Sequence, residues 1–177
     1  MAVTASISAY KAPDIVNALT QQGHHVQVIL TKGAENFVTE MSLSTMSGRP
    51  VITTLWTEKE GEVTHIALAQ RWAELFIVCP ASANAVAKMA NGIADDAFST
   101  IYLAIPPEIP KMVFPAMNHI MLDSRAVQRN LSTLMDDNVI VEDTRSGRLA
   151  CREIGKGLLL KTEDIINIIN SKKETRK

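Results

Sequence analysis

The chain has 177 residues, 46% hydrophobic and 21% charged, which suits one globular domain with a full core and excludes a disordered chain. Its formal net charge of -1 leaves no electrostatic footprint for nucleic acid. Two cysteines exclude a secreted disulfide framework, and no apolar run reaches the roughly 18 residues of a spanning helix. The N-terminus lacks the basic and apolar regions of a signal peptide, so a single domain over 1–177, cytoplasmic and without a membrane partner, is expected.

In chain order, "AVT" at residues 2–4 reads as a short buried strand. Ala9, Ile15, Val16 and Leu19 then fall on one face of a helix that ends at Gly23. "VQVIL" (26–30) is a second strand, and "GRP" (48–50) marks a turn. The charged loop "TEKEGE" (57–62) precedes a helical stretch, "HIALAQRWAE" (65–74). "LFIVC" (75–79) predicts a third strand and "NAVAKMA" (84–90) a helix; "KMVF" (111–114) is a fourth strand. "SRAVQRNLSTLMDD" (124–137) has helical spacing, "NVIV" (138–141) is a fifth strand, and Thr162 to Ile169 closes the chain as a helix. The tail from about 171 to 177 is expected to fray. Such alternation predicts an α/β fold: a doubly wound, Rossmann-like or flavodoxin-like parallel sheet with helices on both faces.

Ligands of such sheets sit beyond the carboxyl ends of the strands. Those ends are "TASIS" (4–8), "TKGAENF" (31–37), "PASAN" (80–84) and "PAMNHIM" (115–121). No G-x-G-x-x-G is present, so the dinucleotide fingerprint is absent. Ser6, Thr31 and Ser82 nevertheless place a small hydroxyl at three strand ends, a reasonable set for a mononucleotide phosphate. Ser6 and Ser8 are equally suited to capping a helix. Phe37 either covers a flat ring or belongs to the core. Asn118 stands between Met117 and Met121, a polar amide in apolar walls, as a pocket with one hook requires; core packing by the methionines is the other reading.

Of the histidines, His24 and His25 have no acidic or cysteine partner at metal-ligand spacing, and no metal site is expected. His65, near a helix start, is either structural or a base. Cys79 reads as a buried small hydrophobe. Cys151 lies in the glycine-punctuated "SGRLACREIGKG" beside Arg148 and Arg152, which suits a reactive thiol on a mobile loop as well as an incidental loop cysteine.

Together "TASISAYKA", "TKGAENFV", "THI", "PASANAVAKMANGIADD", "PAMNHIML" and "GRLACREIGKG" resemble, in this order, the motifs of the flavin-dependent cysteine decarboxylases. The likeness covers essentially the whole chain and is greatest to the branch that converts 4'-phosphopantothenoylcysteine to 4'-phosphopantetheine in coenzyme A biosynthesis. It implies FMN held by Ala5, Ser6, Ile7, Thr31, Gly33 and Phe37, by Ser82, Ala83, Asn84 and Ala85, and near Ala116. It implies His65 as the active-site base, and Asn118 as the residue that binds the substrate carboxylate, with Met121 and Ala150 beside it. Cys151 then acts late, as the proton donor that completes the reduction. The cycle passes through a thioaldehyde, loss of carbon dioxide and re-reduction of an enethiol, without net oxidation. A homo-oligomer is implied, a trimer or a multiple of trimers such as a dodecamer, with the active site between subunits.

Two other readings stay open: a peptidyl-cysteine decarboxylase of lantibiotic maturation, and a flavin-binding regulatory subunit. The chain departs from the family pattern at Ala5 and Arg152, where glycine is usual, at Ala85 for threonine, at Leu122 for tryptophan, and at Leu158 for arginine. It stops soon after the decarboxylase region, as a monofunctional protein or one part of a fusion with a synthetase would.

Overall fold

The computed structural model describes residues 1–55 and 64–174; the loop expected at 57–62 and the last three residues lie outside them. Five parallel strands form the sheet: β1 (Ala2–Val3), β2 (Ile29–Leu30), β3 (Phe76–Ala81), β4 (Lys111–Pro115) and β5 (Ile140–Val141), in the order β2-β1-β3-β4-β5. That order is the doubly wound arrangement with its reversal between β1 and β3.

Because successive side chains of a strand point to opposite faces, each strand feeds two cores. Val3, Leu30, Ile77, Cys79, Met112 and Phe114 enter one apolar layer, which contains Ile15, Val16 and Leu19 of α1 (Ala12–Gln21) and Ile165, Ile166 and Ile169 of α8 (Thr162–Glu174). Ala2, Ile29, Phe76, Val78 and Val113 enter the other, under α4 (Ala83–Ala90), α5 (Ala97–Ala104) and α7 (Arg125–Asp136). The cysteine read as a small hydrophobe, Cys79, is fully buried, and desolvation drives its thiol pKa far above the ordinary value.

Four differences from the sequence reading matter. The expected strand 26–30 joins the ladder only at Ile29 and Leu30, while Val28 instead accepts a bond from Ile52. Two further helices escape the apolar pattern, α2 (Glu40–Ser47) and α5, because α5 is apolar almost all round and α2 nearly without a face. The stretch from 64 forms α3 (Thr64–Ile66) and continues as a π-helix over Ala67–Trp72, packed against α5. The presumed mobile loop is an antiparallel hairpin, β6 (Arg145–Arg148) with β7 (Ile154–Leu158), and α8 runs on to Glu174.

The hairpin docks on the end of β4 through backbone. Met117 N–H donates to the Gly157 carbonyl at 3.0 Å, and Gly157 N–H donates to Thr144 Oγ1 at 3.0 Å. A Cβ on Gly157 would stand 2.1 Å from the Met117 carbonyl oxygen, and its φ of +114° is one that side-chain-bearing residues rarely adopt. Only glycine lets the two backbones meet.

Candidate active site

The carboxyl ends of β1, β3 and β4 are joined by hydroxyl groups. Thr4, 2% exposed, donates through Oγ1 to the Pro80 carbonyl at 2.8 Å and accepts from Ser82 N–H at 2.9 Å. Ser6 Oγ donates to the Ala116 carbonyl at 3.0 Å while accepting from Ser8 N–H at 3.3 Å, as the cap of a 3-10 turn over Ile7–Lys11. Ser82 caps α4 by accepting from Ala85 N–H at 3.3 Å, and Thr31 Oγ1 donates to the Val3 carbonyl at 3.3 Å. The capping reading of Ser6 therefore holds. The three hydroxyls expected to face a phosphate spend bonds on fixing the strand ends. Thr4 was missed, although a hydroxyl directly after a buried strand was the available signal.

Fixing these ends opens a two-part cleft at the β1/β3 reversal. The larger part, about 310 Å³, is lined by Ala5, Ser6 and Ile7, by Ser82, Ala83 and Ala116, and by Met117, Asn118 and Met121. Leu149, Ala150, Cys151, Gly157 and Leu158 of the hairpin close its far side. The smaller part, about 160 Å³, includes Thr31, Gly33, Asn84, Ala85 and Lys88, and shares Ala5 and Ser82 with the larger. Gly33 lies so near Ala5 that a Cβ on it would fall 2.8 Å from the Ala5 Cβ. The added methyl of Ala5 thus sits at the waist of the cleft. Another cavity, about 320 Å³, opens at the opposite strand ends around Met1, His24 and Trp72; none of the predicted site residues lines it.

Each part has its own chemistry. At the small end the first N–H groups of α4, at Ala83 and Asn84, have no carbonyl one turn earlier in the helix to bond. The helix dipole adds a partial positive charge there. Lys88 adds a cation that bonds both Asp95 and Asp96, the latter at 2.8 Å. Burial works to lower the Lys88 pKa, but its bonds to the two carboxylates outweigh this and raise it. Burial likewise opposes the Asp96 carboxylate, yet Lys88 and Ser99 hold it below the ordinary value. At the large end Ile7, Ala116, Met117 and Met121 supply apolar walls. A ligand with an anionic end and a flat apolar end suits this pair, and FMN is such a molecule.

Asn118 faces the large part and caps α6 (His119–Asp123), its Oδ1 accepting from Ile120 N–H at 2.8 Å. That bond fixes which end of the amide is presented: Nδ2 points onward and reaches Cys151 Sγ at 3.3 Å. Cys151, exposed at the hairpin tip, is thereby brought to the one polar hook of the cleft. Ala150 and Met121 line the same space. Two predicted residues do not join them. His65, partly buried on α3, and Phe37, 39% exposed, line neither part of the cleft.

Comparison with known proteins places these observations. The model of a family described as Flavoprotein matches residues 1–174. A "Probable phosphopantothenoylcysteine decarboxylase" of Streptococcus mutans is 39% identical over 170 residues, 96% of this chain and 94% of that protein. The "Coenzyme A biosynthesis bifunctional protein CoaBC" of Bacillus subtilis is 39% identical over 168 residues, and this chain spans only 41% of its length. Among solved structures, a PPC decarboxylase cysteine-to-serine mutant complexed with pantothenoylaminoethenethiol superposes with a TM-score of 0.87, at 26% identity over 98% of this chain and 96% of that one. The FMN-dependent cysteine decarboxylase SpaF gives 0.79, at 27% identity over 94% and 91%.

Proposed function

The chain belongs to the Flavoprotein family, and from that premise we propose that it is an FMN-dependent decarboxylase acting on 4'-phosphopantothenoylcysteine in coenzyme A biosynthesis. The observation that carries the reading is the meeting of Asn118 and Cys151 over the cleft at the β1/β3 reversal. Placement in the cytoplasm, where such biosynthesis runs, belongs to the same reading.

Loss of carbon dioxide from a cysteine carboxylate needs an electron sink; FMN, when bound, supplies one by taking a hydride from the C–S carbon and leaving a thioaldehyde. The α4 N-terminus, Asn84 and Gly33 would hold its phosphate end, and Ile7, Ala116 and Met117 its ring. Asn118 Nδ2 donates to the substrate carboxylate. A neutral amide orients that group without an ion pair, which would stabilise the ground state that decarboxylation must leave. Met121 and Ala150 exclude water around it. Cys151 then gives its proton to the carbon that has lost carbon dioxide, and His65 takes the proton of the substrate thiol at the start.

His65 lies outside the cleft of its own chain, and Ile120 (66% exposed), Ile154 (85%), Ile7 and Met121 are apolar and exposed near Asn118 and Cys151. Both facts support a site completed by a second copy, which covers these residues and brings its own His65. The assembly is then a trimer or a multiple of trimers.

The decisive test supplies the purified, FMN-loaded protein with 4'-phosphopantothenoylcysteine and, separately, with peptides ending in cysteine. Release of carbon dioxide and formation of 4'-phosphopantetheine from the small substrate alone are expected. Turnover of the peptides with none of the small substrate would move the chain to the peptidyl-cysteine branch. Flavin uptake with turnover of neither would favour the flavin-binding regulatory reading.

A further inference from the structure

Cys151 has a second neighbour that the reading above leaves unused. Its Sγ donates to Glu153 Oε2 at 3.4 Å, and the same oxygen stands 3.6 Å from His119 Nδ1. That nitrogen is buried and has no hydrogen-bond partner among the described residues, the distance to Glu153 being just beyond hydrogen-bond length. The imidazole is also held in place from behind. A Cβ on Gly155 would fall 3.0 Å from the His119 ring, so β7 presents bare backbone to it. Glu153 and Cys151 are set by the tight end of the hairpin, where Leu149 N–H donates to the Glu153 carbonyl at 2.8 Å and Arg152 N–H to the Leu149 carbonyl at 2.9 Å. One carboxylate oxygen therefore bridges the thiol of the hairpin tip and the imidazole of α6.

We propose that Glu153, with His119 behind it, is a positioning residue that holds the Cys151 S–H in place for the proton transfer and returns a proton to Sγ afterwards; this rests on the function proposed above. A carboxylate accepting the S–H bond fixes where the proton sits when the substrate arrives. In the step itself the Sγ–H bond breaks and Sγ keeps the electron pair as thiolate. The C=C pair of the enethiolate forms the new C–H bond, and its C–S⁻ becomes C=S. The hydride removed in the first half of the reaction returns to that C=S. Reloading then draws one proton from solvent, passed through Glu153 to Sγ, with the His119 imidazole 3.6 Å from the same carboxylate oxygen. Asn118, already bonded to Sγ, keeps the thiol turned toward the cleft.

The test compares wild-type protein with Glu153→Gln, Glu153→Asp and His119→Asn in single turnovers of the FMN-loaded protein on 4'-phosphopantothenoylcysteine. Glu153→Gln should raise the ratio of enethiol to saturated thiol at least tenfold, and Glu153→Asp should restore it. His119→Asn should raise it less, and the Glu153→Gln, His119→Asn double variant should match Glu153→Gln alone, as expected of residues acting as one unit. An independent arm measures alkylation of Cys151 by iodoacetamide at neutral pH, read by mass spectrometry; buried Cys79 does not compete. Glu153→Gln should react several-fold faster. An unchanged product ratio in Glu153→Gln, or an unchanged alkylation rate, overturns the proposal. Wild-type protein that releases no carbon dioxide would instead overturn the function, while the alkylation arm still decides the Glu153–Cys151 contact.

Discussion

Asn118 shows how a single side chain acquires a direction. Its amide has two chemically opposite ends, and only the commitment of Oδ1 to the α6 cap turns the donor end toward Cys151. Its place between two methionines suggested a hook; which end of the amide hooks was settled by a helix only five residues long. Arg152 carries the opposite lesson. It stands at φ +70°, a left-handed conformation that glycine adopts freely and side-chain-bearing residues resist. Replacing it with glycine relieves about 1–2 kcal/mol of strain, offset by roughly 0.5–1 kcal/mol of extra unfolded-state entropy. Arg152→Gly should therefore raise Tm by about 2 °C in a thermal melt. An equal fall would show that the Arg152 side chain makes contacts worth more than the strain.

At the scale of elements, the hairpin β6–β7 is the piece that closes the far side of the cleft. It contributes Leu149, Ala150 and Cys151 to the cleft, yet it meets the β4 end at Gly157, whose carbonyl accepts from Met117 N–H. Gly157→Ala forces a Cβ onto the Met117 carbonyl and should lift the hairpin away. Gly157 does not line the smaller part of the cleft, proposed above to hold the phosphate end, so the variant should still take up FMN, seen by its absorbance. Formation of 4'-phosphopantetheine should fall at least 100-fold, since misplacing catalytic groups by about 1 Å already costs that much. Full activity in Gly157→Ala would mean that the hairpin tolerates the collision without moving Cys151.

For the whole molecule, the separation of His65 from Asn118 and Cys151 is the fact to be explained. If the base comes from a second copy, His65→Asn and Asn118→Asp are each inactive alone. Co-expressed with different tags and purified as mixed trimers, they should recover about a third of wild-type activity, because one of the three interfaces of a mixed trimer pairs an intact His65 with an intact Asn118. No recovery in mixed oligomers would place the base elsewhere. Among the described residues no helix is long and apolar enough to cross a membrane. The exposed isoleucines and methionines around the cleft belong to the contact proposed above between copies.

Alternating apolar strands and amphipathic helices were enough, in the sequence alone, to predict the doubly wound sheet, because burying a strand on both faces leaves a short apolar run and a helix on one face leaves a 3.6-residue repeat. The motifs at the strand ends pointed to a flavin and to Asn118 for a related reason: chemistry in this fold is expected where the strands stop. Periodicity could not reveal α2, α5 or the hairpin, since none has a clean apolar face and the hairpin's stability comes from backbone docking at a glycine. Nor could it assign the hydroxyls. Thr4, Ser6 and Ser82 look alike in a string of letters, and only the tertiary structure turned the first two hydroxyls into ties between strand ends and the third into the cap of α4. The bridge from Cys151 through Glu153 to His119 spans 32 residues of chain, and nothing short of the tertiary fold brings its ends to one carboxylate oxygen.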